Sequence, residues 1–181
     1  SYNYNDDKFP ELLDAVAKVD GVKRIRYTSP HPQDINEELL EIMAKHDNIC
    51  NYIHLPLQAG SNRILKRMNR TYTKEDFIEL AEKIRTFLPG VGISTDIIVG
   101  FPGETEKEFN ETLEVMRKVK FDSAFTFKYS PRKGTKAIEY DDQLEEDKKQ
   151  SRLTKVIELQ KFNTELKNQS YVNKVVDVLI E

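Results

Sequence analysis

Residues 94–105 read Ser-Thr-Asp-Ile-Ile-Val-Gly-Phe-Pro-Gly-Glu-Thr, and no other stretch restricts the fold so tightly. An apolar, β-branched run stops at a glycine and a Pro-Gly turn. A helix then starts, with Glu104, Glu106 and Glu108 around its first turn. A strand running straight into a helix predicts a parallel α/β sheet, and in such sheets ligands sit where strands end and helices begin. Gly100 and Gly103 lack a Cβ, so a flat ligand has room to reach the backbone there. An ordinary tight turn is the plainer reading of the same residues.

The alternation extends along the chain, which supports the α/β class. Helices are predicted at 9–19, 36–45, 105–118 and 144–167. Another follows Thr73, with Asp76 completing a capping box, and ends at Pro89-Gly90. Ser61 is placed to cap a short helix of its own. Strands are predicted at 23–28, 52–57, 91–99, 124–129 and 175–180. The long 144–167 helix is polar, with a stripe at Leu153, Val156, Ile157, Gln160 and Leu166.

Charge excludes a uniformly basic nucleic-acid binder, since the net value is −3. The cations are nevertheless clustered. Residues 61–74 hold Arg63, Lys66, Arg67, Arg70 and Lys74 without an acid, and 117–133 hold six cations against Asp122 alone. Together they predict one phosphate-facing patch, unless both are simply solvated helix faces. No run approaches a membrane span, so no membrane partner is expected. One cysteine, Cys50, argues against a disulfide framework and fits a reducing cytoplasm. Cys50 and His54 lack further donors at ligand spacing, so Cys50 reads as a packed thiol and no metal site is expected. His31 and His46 add none.

Four further segments carry a family likeness. They are 54–63 (His-Leu-Pro-Leu-Gln-Ala-Gly-Ser-Asn-Arg), 65–73 (Leu-Lys-Arg-Met-Asn-Arg-Thr-Tyr-Thr), 121–127 (Phe-Asp-Ser-Ala-Phe-Thr-Phe) and 129–135 (Tyr-Ser-Pro-Arg-Lys-Gly-Thr). In this order, with 94–105, they closely resemble the methylthiotransferase family of radical S-adenosylmethionine enzymes. The likeness runs from about Phe9 to the end of the chain. Ser29-Pro30-His31-Pro32 and Met68-Asn69-Arg70 resemble its tRNA-acting, MiaB-type branch. Ala59, Lys133 and Lys136 depart from the usual pattern but leave the motifs readable.

The resemblance implies the last four strands of a partial (β/α) barrel over 1–143, a linking helix over 144–171, and the first strand of a truncated RNA-binding TRAM barrel over 172–181. The missing first strands would leave the 23–28 strand with an open edge, inviting self-association. It implies S-adenosylmethionine and two [4Fe–4S] clusters in a larger parent. Their ligands are absent here, because one cysteine cannot supply three or four thiolates. It also implies a tRNA substrate, an electron donor, and insertion of a methylthio group at carbon 2 of an isopentenyl-adenosine. The chain alone is expected to be inactive, with no catalytic residue of its own.

For the cofactor, the resemblance points to Gln58 and Ser61 near the ribose, Ile98 against adenine, and Gly100 and Tyr129 at strand ends. Arg63 would pair with the cofactor carboxylate. Asp96 faces away from Thr95 and Ile97, so it is either buried and hydrogen-bonded or lines the site. Lys66, Arg67, Arg70 and Arg132 are the candidates for RNA phosphate. Glu104 reads as a helix-dipole partner only. Two other readings remain open: a half-barrel that binds or scaffolds without cofactor, and a family branch acting on threonylcarbamoyladenosine or a ribosomal-protein aspartate.

Overall fold

The computed structural model describes residues 3–4, 7–28, 31–176 and 178. Strands β1 (Asn3–Tyr4) and β2 (Asp7–Lys8) pair antiparallel ahead of helix α1 (Phe9–Ala17), a small ribbon the sequence reading missed. Helix α2 spans Glu37–Lys45 and is capped by the Asn36 side chain, which accepts from the Leu39 amide at 2.9 Å. Then follow β3 (Tyr52–His54), α3 (Asn62–Arg67), α4 (Lys74–Phe87), β4 (Gly92–Val99), α5 (Glu106–Val119), β5 (Ser123–Lys128) and α6 (Glu146–Gln169). The sheet order is β3-β4-β5, all parallel, with Asp96 opposite Phe125 and Ile98 opposite Phe127.

This is the partial barrel expected, with one correction. The 23–28 strand contributes a single parallel bridge, Ile25 to Ile49. Its inner neighbour, Asp47-Asn48, is a turn rather than a strand, so one bridge is all the ladder that forms. Tyr27 instead turns toward the helices, packing on Phe9 at 5.1 Å. Ser29 and Pro30 lie outside the described residues. So do three of the six residues of the expected 175–180 strand; Val175, Val176 and Val178 are exposed and pair with no strand among the described residues.

The core lies between the outer face of the sheet and the helices. Ile93, Thr95, Ile97 and Val99 of β4 point into it, as period-2 alternation requires. Phe77, Ala81 and Ile84 of α4, with Phe109, Leu113 and Met116 of α5, close it. Both helices begin with the capping boxes their sequences encode, Thr73 with Asp76 and Thr105 with Glu108.

Helix α6 packs on β5 and α5 through a stripe that is mostly polar: Lys149, Arg152, Val156, Gln160 and Asn163 are all buried. Gln160 donates to the Phe121 carbonyl at 2.9 Å, and Asn163 to that of Met116 at 3.3 Å. Arg152 is the anchor. Its guanidinium donates to the Glu104 carboxylate at 2.6 Å and to the Glu104 carbonyl at 2.9 Å, with both side chains 1% exposed. Glu104 also accepts from the Gly100 amide at 2.8 Å. Burial pushes the Glu104 carboxyl above its ordinary range, while the Gly100 amide and Arg152 pull it back. Glu104 is thus a buried keystone, not merely an acid near a helix start.

Arg152→Ala strands that carboxylate and should cost about 3–5 kcal/mol, read from urea denaturation midpoints. Adding Glu104→Gln to Arg152→Met should recover much of the loss, because a neutral amide still accepts from Gly100. Equal stability of Arg152→Ala and the native chain would remove the pair's structural role.

Candidate functional site

The C-terminal ends of β4 and β5 open into a cavity of about 970 Å³. Its wall brings together Gln58, Asp96, Ile98 and Tyr129, from three separate parts of the chain. Phe101 and Phe127 make it apolar on one side, and Lys66, Arg67, Arg70 and Arg132 stand around it. The strand-end rule and alternation along β4 put Asp96 and Ile98 on this face.

Gln58 is held by the sheet through its backbone. Its amide donates to the Asp96 carbonyl at 2.8 Å, and its carbonyl accepts from the Ile98 amide at 2.9 Å. It adopts φ +68°, the left-handed region that non-glycine residues avoid. Such a conformation costs on the order of 1 kcal/mol and here aims a nearly buried amide side chain at the cavity.

Asp96 is oriented by a hydrogen-bonded array on the same concave face. The Tyr52 hydroxyl donates to Ser94 Oγ at 2.5 Å, and Ser94 Oγ lies 2.7 Å from His54 Nδ1. His54 Nε2 lies 3.2 Å from Asp96 Oδ2. These contacts link Tyr52 to Asp96 through Ser94 and the two ring nitrogens of His54. Phe125 meets the His54 ring edge-on at 5.9 Å, and the Arg26 guanidinium lies 4.8 Å over Tyr52. His54, Ser94, Phe125 and Phe127 escaped the sequence reading of the site. Alternation says which residues share a face, but only the sheet's curvature says which face is concave.

Ser61, Arg63 and Gly100 do not line this cavity. Ser61 occupies the position before α3 but makes no cap; its hydroxyl donates to Glu108 at 3.2 Å. Arg63 grips the same carboxylate at 2.6 and 2.7 Å and donates to the Gly103 carbonyl. Its guanidinium therefore ties α3 to α5. Gly100 has φ +71°, and a Cβ there would meet Lys149 Cγ at 2.5 Å. The space over Gly100 is filled by α6, not open to a ligand. A Cβ on Gly103 would likewise meet an Asp142 carboxylate oxygen at 2.1 Å. The Tyr129 amide is spent on the Val99 carbonyl at 2.9 Å, so its ring is what it presents to the cavity.

Among the predicted RNA contacts, Arg67 is paired with Asp142 at 2.8 Å and lies 4.3 Å over the Tyr140 ring. Lys66, Arg70 and Arg132 make no ion pair among the described residues. The second basic segment disperses: Lys118 pairs with Glu82, and Lys128 with Glu146. Cys50 is half-buried beside the Ile25 bridge, and its amide donates to the Ile25 carbonyl at 2.9 Å.

A parallel α/β half-barrel with a mixed apolar and polar cavity at its strand ends defines a class of small-molecule-binding proteins. A family model described as the radical SAM superfamily matches residues 3–116, and the chain belongs to that superfamily. It is 49% identical over 173 residues to the tRNA-2-methylthio-N(6)-dimethylallyladenosine synthase of Clostridium tetani, covering 96% of this chain and 38% of that protein. The protein of the same description from Finegoldia magna is 50% identical over 177 residues, covering 98% of this chain and 38% of its own length. The chain thus spans well under half of these relatives. The coproporphyrinogen III oxidase of Escherichia coli, described as a radical SAM enzyme, shares the fold at a TM-score of 0.60 and 20% identity, over 74% of this chain and 31% of that one.

Two expectations follow from the geometry. Gln58→Gly should stabilise the fold by about 1 kcal/mol by relieving the left-handed backbone, while removing a side chain from the cavity. A melting temperature at or below the native one would contradict this. The second concerns acid. Arg63 holds the Glu108 carboxyl at about 2, against an ordinary 4.5. A depressed carboxyl stabilises above its unfolded value and loses that contribution as pH falls from 4.5 towards about 2. The loss should be about 2 kcal/mol, discounted for the half-exposed Arg63. Urea midpoints at several acid pH values should therefore fall less steeply in Glu108→Gln.

Proposed function

We propose that this chain forms the C-terminal part of the radical SAM barrel of a tRNA methylthiotransferase. The parent would add a methylthio group to carbon 2 of N6-isopentenyladenosine beside the anticodon. One observation carries the reading: the 970 Å³ cavity gathers Gln58, Asp96, Ile98 and Tyr129 beneath the cations of α3 and its following turn. The relatives' printed description supports the substrate.

The cavity fits S-adenosylmethionine by its donor set. Ile98 and Phe127 offer apolar surface for a ring, and Gln58 and Asp96 offer hydrogen-bonding groups for hydroxyls. When bound, this cofactor supplies radical chemistry at an unactivated carbon. The chain's own work is to hold the nucleoside, fix Asp96 through His54, and exclude water with Phe101, Phe127 and Tyr129. Ser61, Arg63 and Gly100 serve by shaping the turns around the cavity rather than by contact. An iron–sulfur cluster does not fit these residues, because Cys50 is the chain's one cysteine. Both [4Fe–4S] clusters would be held by cysteines outside the chain, and an electron donor would serve them.

Lys66, Arg67, Arg70 and Arg132 would meet tRNA phosphate. The division of the parent would be barrel over 1–143, helix over 144–171 and the beginning of TRAM over 172–181, in a cytoplasmic enzyme. No described helix is long and apolar enough to cross a membrane.

Binding of S-adenosylmethionine to the full-length protein tests this, by equilibrium dialysis without turnover. Asp96→Asn and Ile98→Ala should each weaken it about tenfold, a loss of about 1.4 kcal/mol. Native affinity in both variants, with unchanged melting, would place the cofactor outside this cavity.

A further inference from the structure

The cations around the cavity are not equivalent. Lys66, Arg70, Arg132 and Lys136 line it without an ion pair among the described residues. Lys128 is paired with Glu146 at the rim, and Arg67, in the midst of those four cations, is paired too: its guanidinium donates to Asp142 Oδ1 at 2.8 Å and lies 4.3 Å over the Tyr140 ring. Asp142 and Tyr140 both belong to the segment between β5 and α6, which folds back across the strand ends. The Asp142 carbonyl accepts from the Gly103 amide at 2.7 Å, so the backbone stays in place whatever its carboxylate does. Phe101 packs edge-on against Tyr129 at 5.1 Å and Tyr140 at 6.4 Å, which holds the stacking ring.

A guanidinium with one face on an aromatic ring and one edge on an anion is the geometry in which arginine takes a phosphate. The Asp142 side chain is 46% exposed and that of Arg67 26%, so the pair is half-buried at the rim with its carboxylate side open to a polyanion. A pair this open on its carboxylate side contributes about 1 kcal/mol, little enough for a phosphodiester to displace.

We propose that Asp142 occupies, on Arg67, the place of an RNA phosphate, and that the RNA backbone takes Arg67 from it on binding. This rests on the assignment of the surrounding cations to RNA. The carboxylate then sets a threshold. A short anion that reaches Arg67 alone must compete with Asp142 unaided. A longer RNA strand gains Lys66, Arg70 and Arg132 at the same time and wins the exchange. The release of Asp142 leaves Tyr140 stacked and Gly103 bonded, so the segment keeps its path.

The experiment uses the full-length protein and a fluorescently labelled stem-loop RNA, with affinity followed over a salt series. Asp142→Asn should tighten binding about two- to fivefold. The slope of the salt dependence should stay at its native value, because the same RNA phosphate meets Arg67 in both proteins. In an Arg67→Ala background the same substitution should change neither quantity. A gain of equal size in both backgrounds would mean a long-range charge effect and overturn the proposal, as would no gain in the native background. Arg70→Ala with Arg132→Ala separates the two readings. If that pair weakens binding while Asp142→Asn is silent, the RNA surface stands and Asp142 is only a structural partner. If the pair leaves affinity and slope unchanged, the surface does not bind RNA and the Asp142 proposal falls with it. Melting curves of Asp142→Asn, whose backbone bond to Gly103 is retained, check that the fold is intact.

Discussion

A buried charge must be answered, and in this chain the answer is the bond between Arg152 and Glu104. Each is 1% exposed, and neither could be so without the other. The pair fastens α6 to the turn after β4, and Glu104 in turn fastens that turn through the Gly100 amide. With α6 anchored, Lys149 lies over Gly100, and the 129–145 segment is stretched across the strand ends. The cavity's outer wall, Tyr129 to Tyr140, exists because of where that helix is tied.

Much of this was legible in the sequence, and for stated physical reasons. The β4–turn–α5 unit is written in a β-branched run, two glycines and a capping box, all local signals. Asp96 was placed by strand alternation, while Gln58, Ile98 and Tyr129 were pointed to by the family resemblance, and the structure brings all four to one cavity wall. The α6 stripe was only half legible. Hydrophobic periodicity points to Leu153 and Leu166, but the buried residues are largely polar, and Leu166 is exposed. A helix that buries Arg, Lys, Gln and Asn reads as a solvated one until its partners are seen.

Three residues whose tertiary partners the sequence did not show share a cause. Ser61, Arg63 and Gly100 carry side chains, or lack one, in ways that suit a ligand as well as they suit a neighbouring helix. Sequence cannot weigh a distant Glu108 or Lys149 against a cofactor, because the competing contact is 47 or 49 positions away along the chain. The 23–28 strand failed differently. Its residues favour a strand, but the turn at Asp47-Asn48 offers a partner for one bridge only. The concave face was hidden for a third reason. His54, Ser94 and Phe125 are ordinary strand residues until curvature gathers them around Asp96.

The close fit at the β4–α5 turn also governs how such a sequence can drift. At φ +73° position 103 strains any side chain, and its first carbon would also stand 2.1 Å from an Asp142 carboxylate oxygen, which would have to shift. Position 100 is chained in the same way to the stem of Lys149. These sites are therefore coupled in packing, 103 with 142 and 100 with 149, although neither couple is adjacent in the chain. A lineage that exchanges one member first passes through a form that packs worse than either its ancestor or its descendant. The order in which substitutions can be accepted is thus fixed by a gap of a few ångströms.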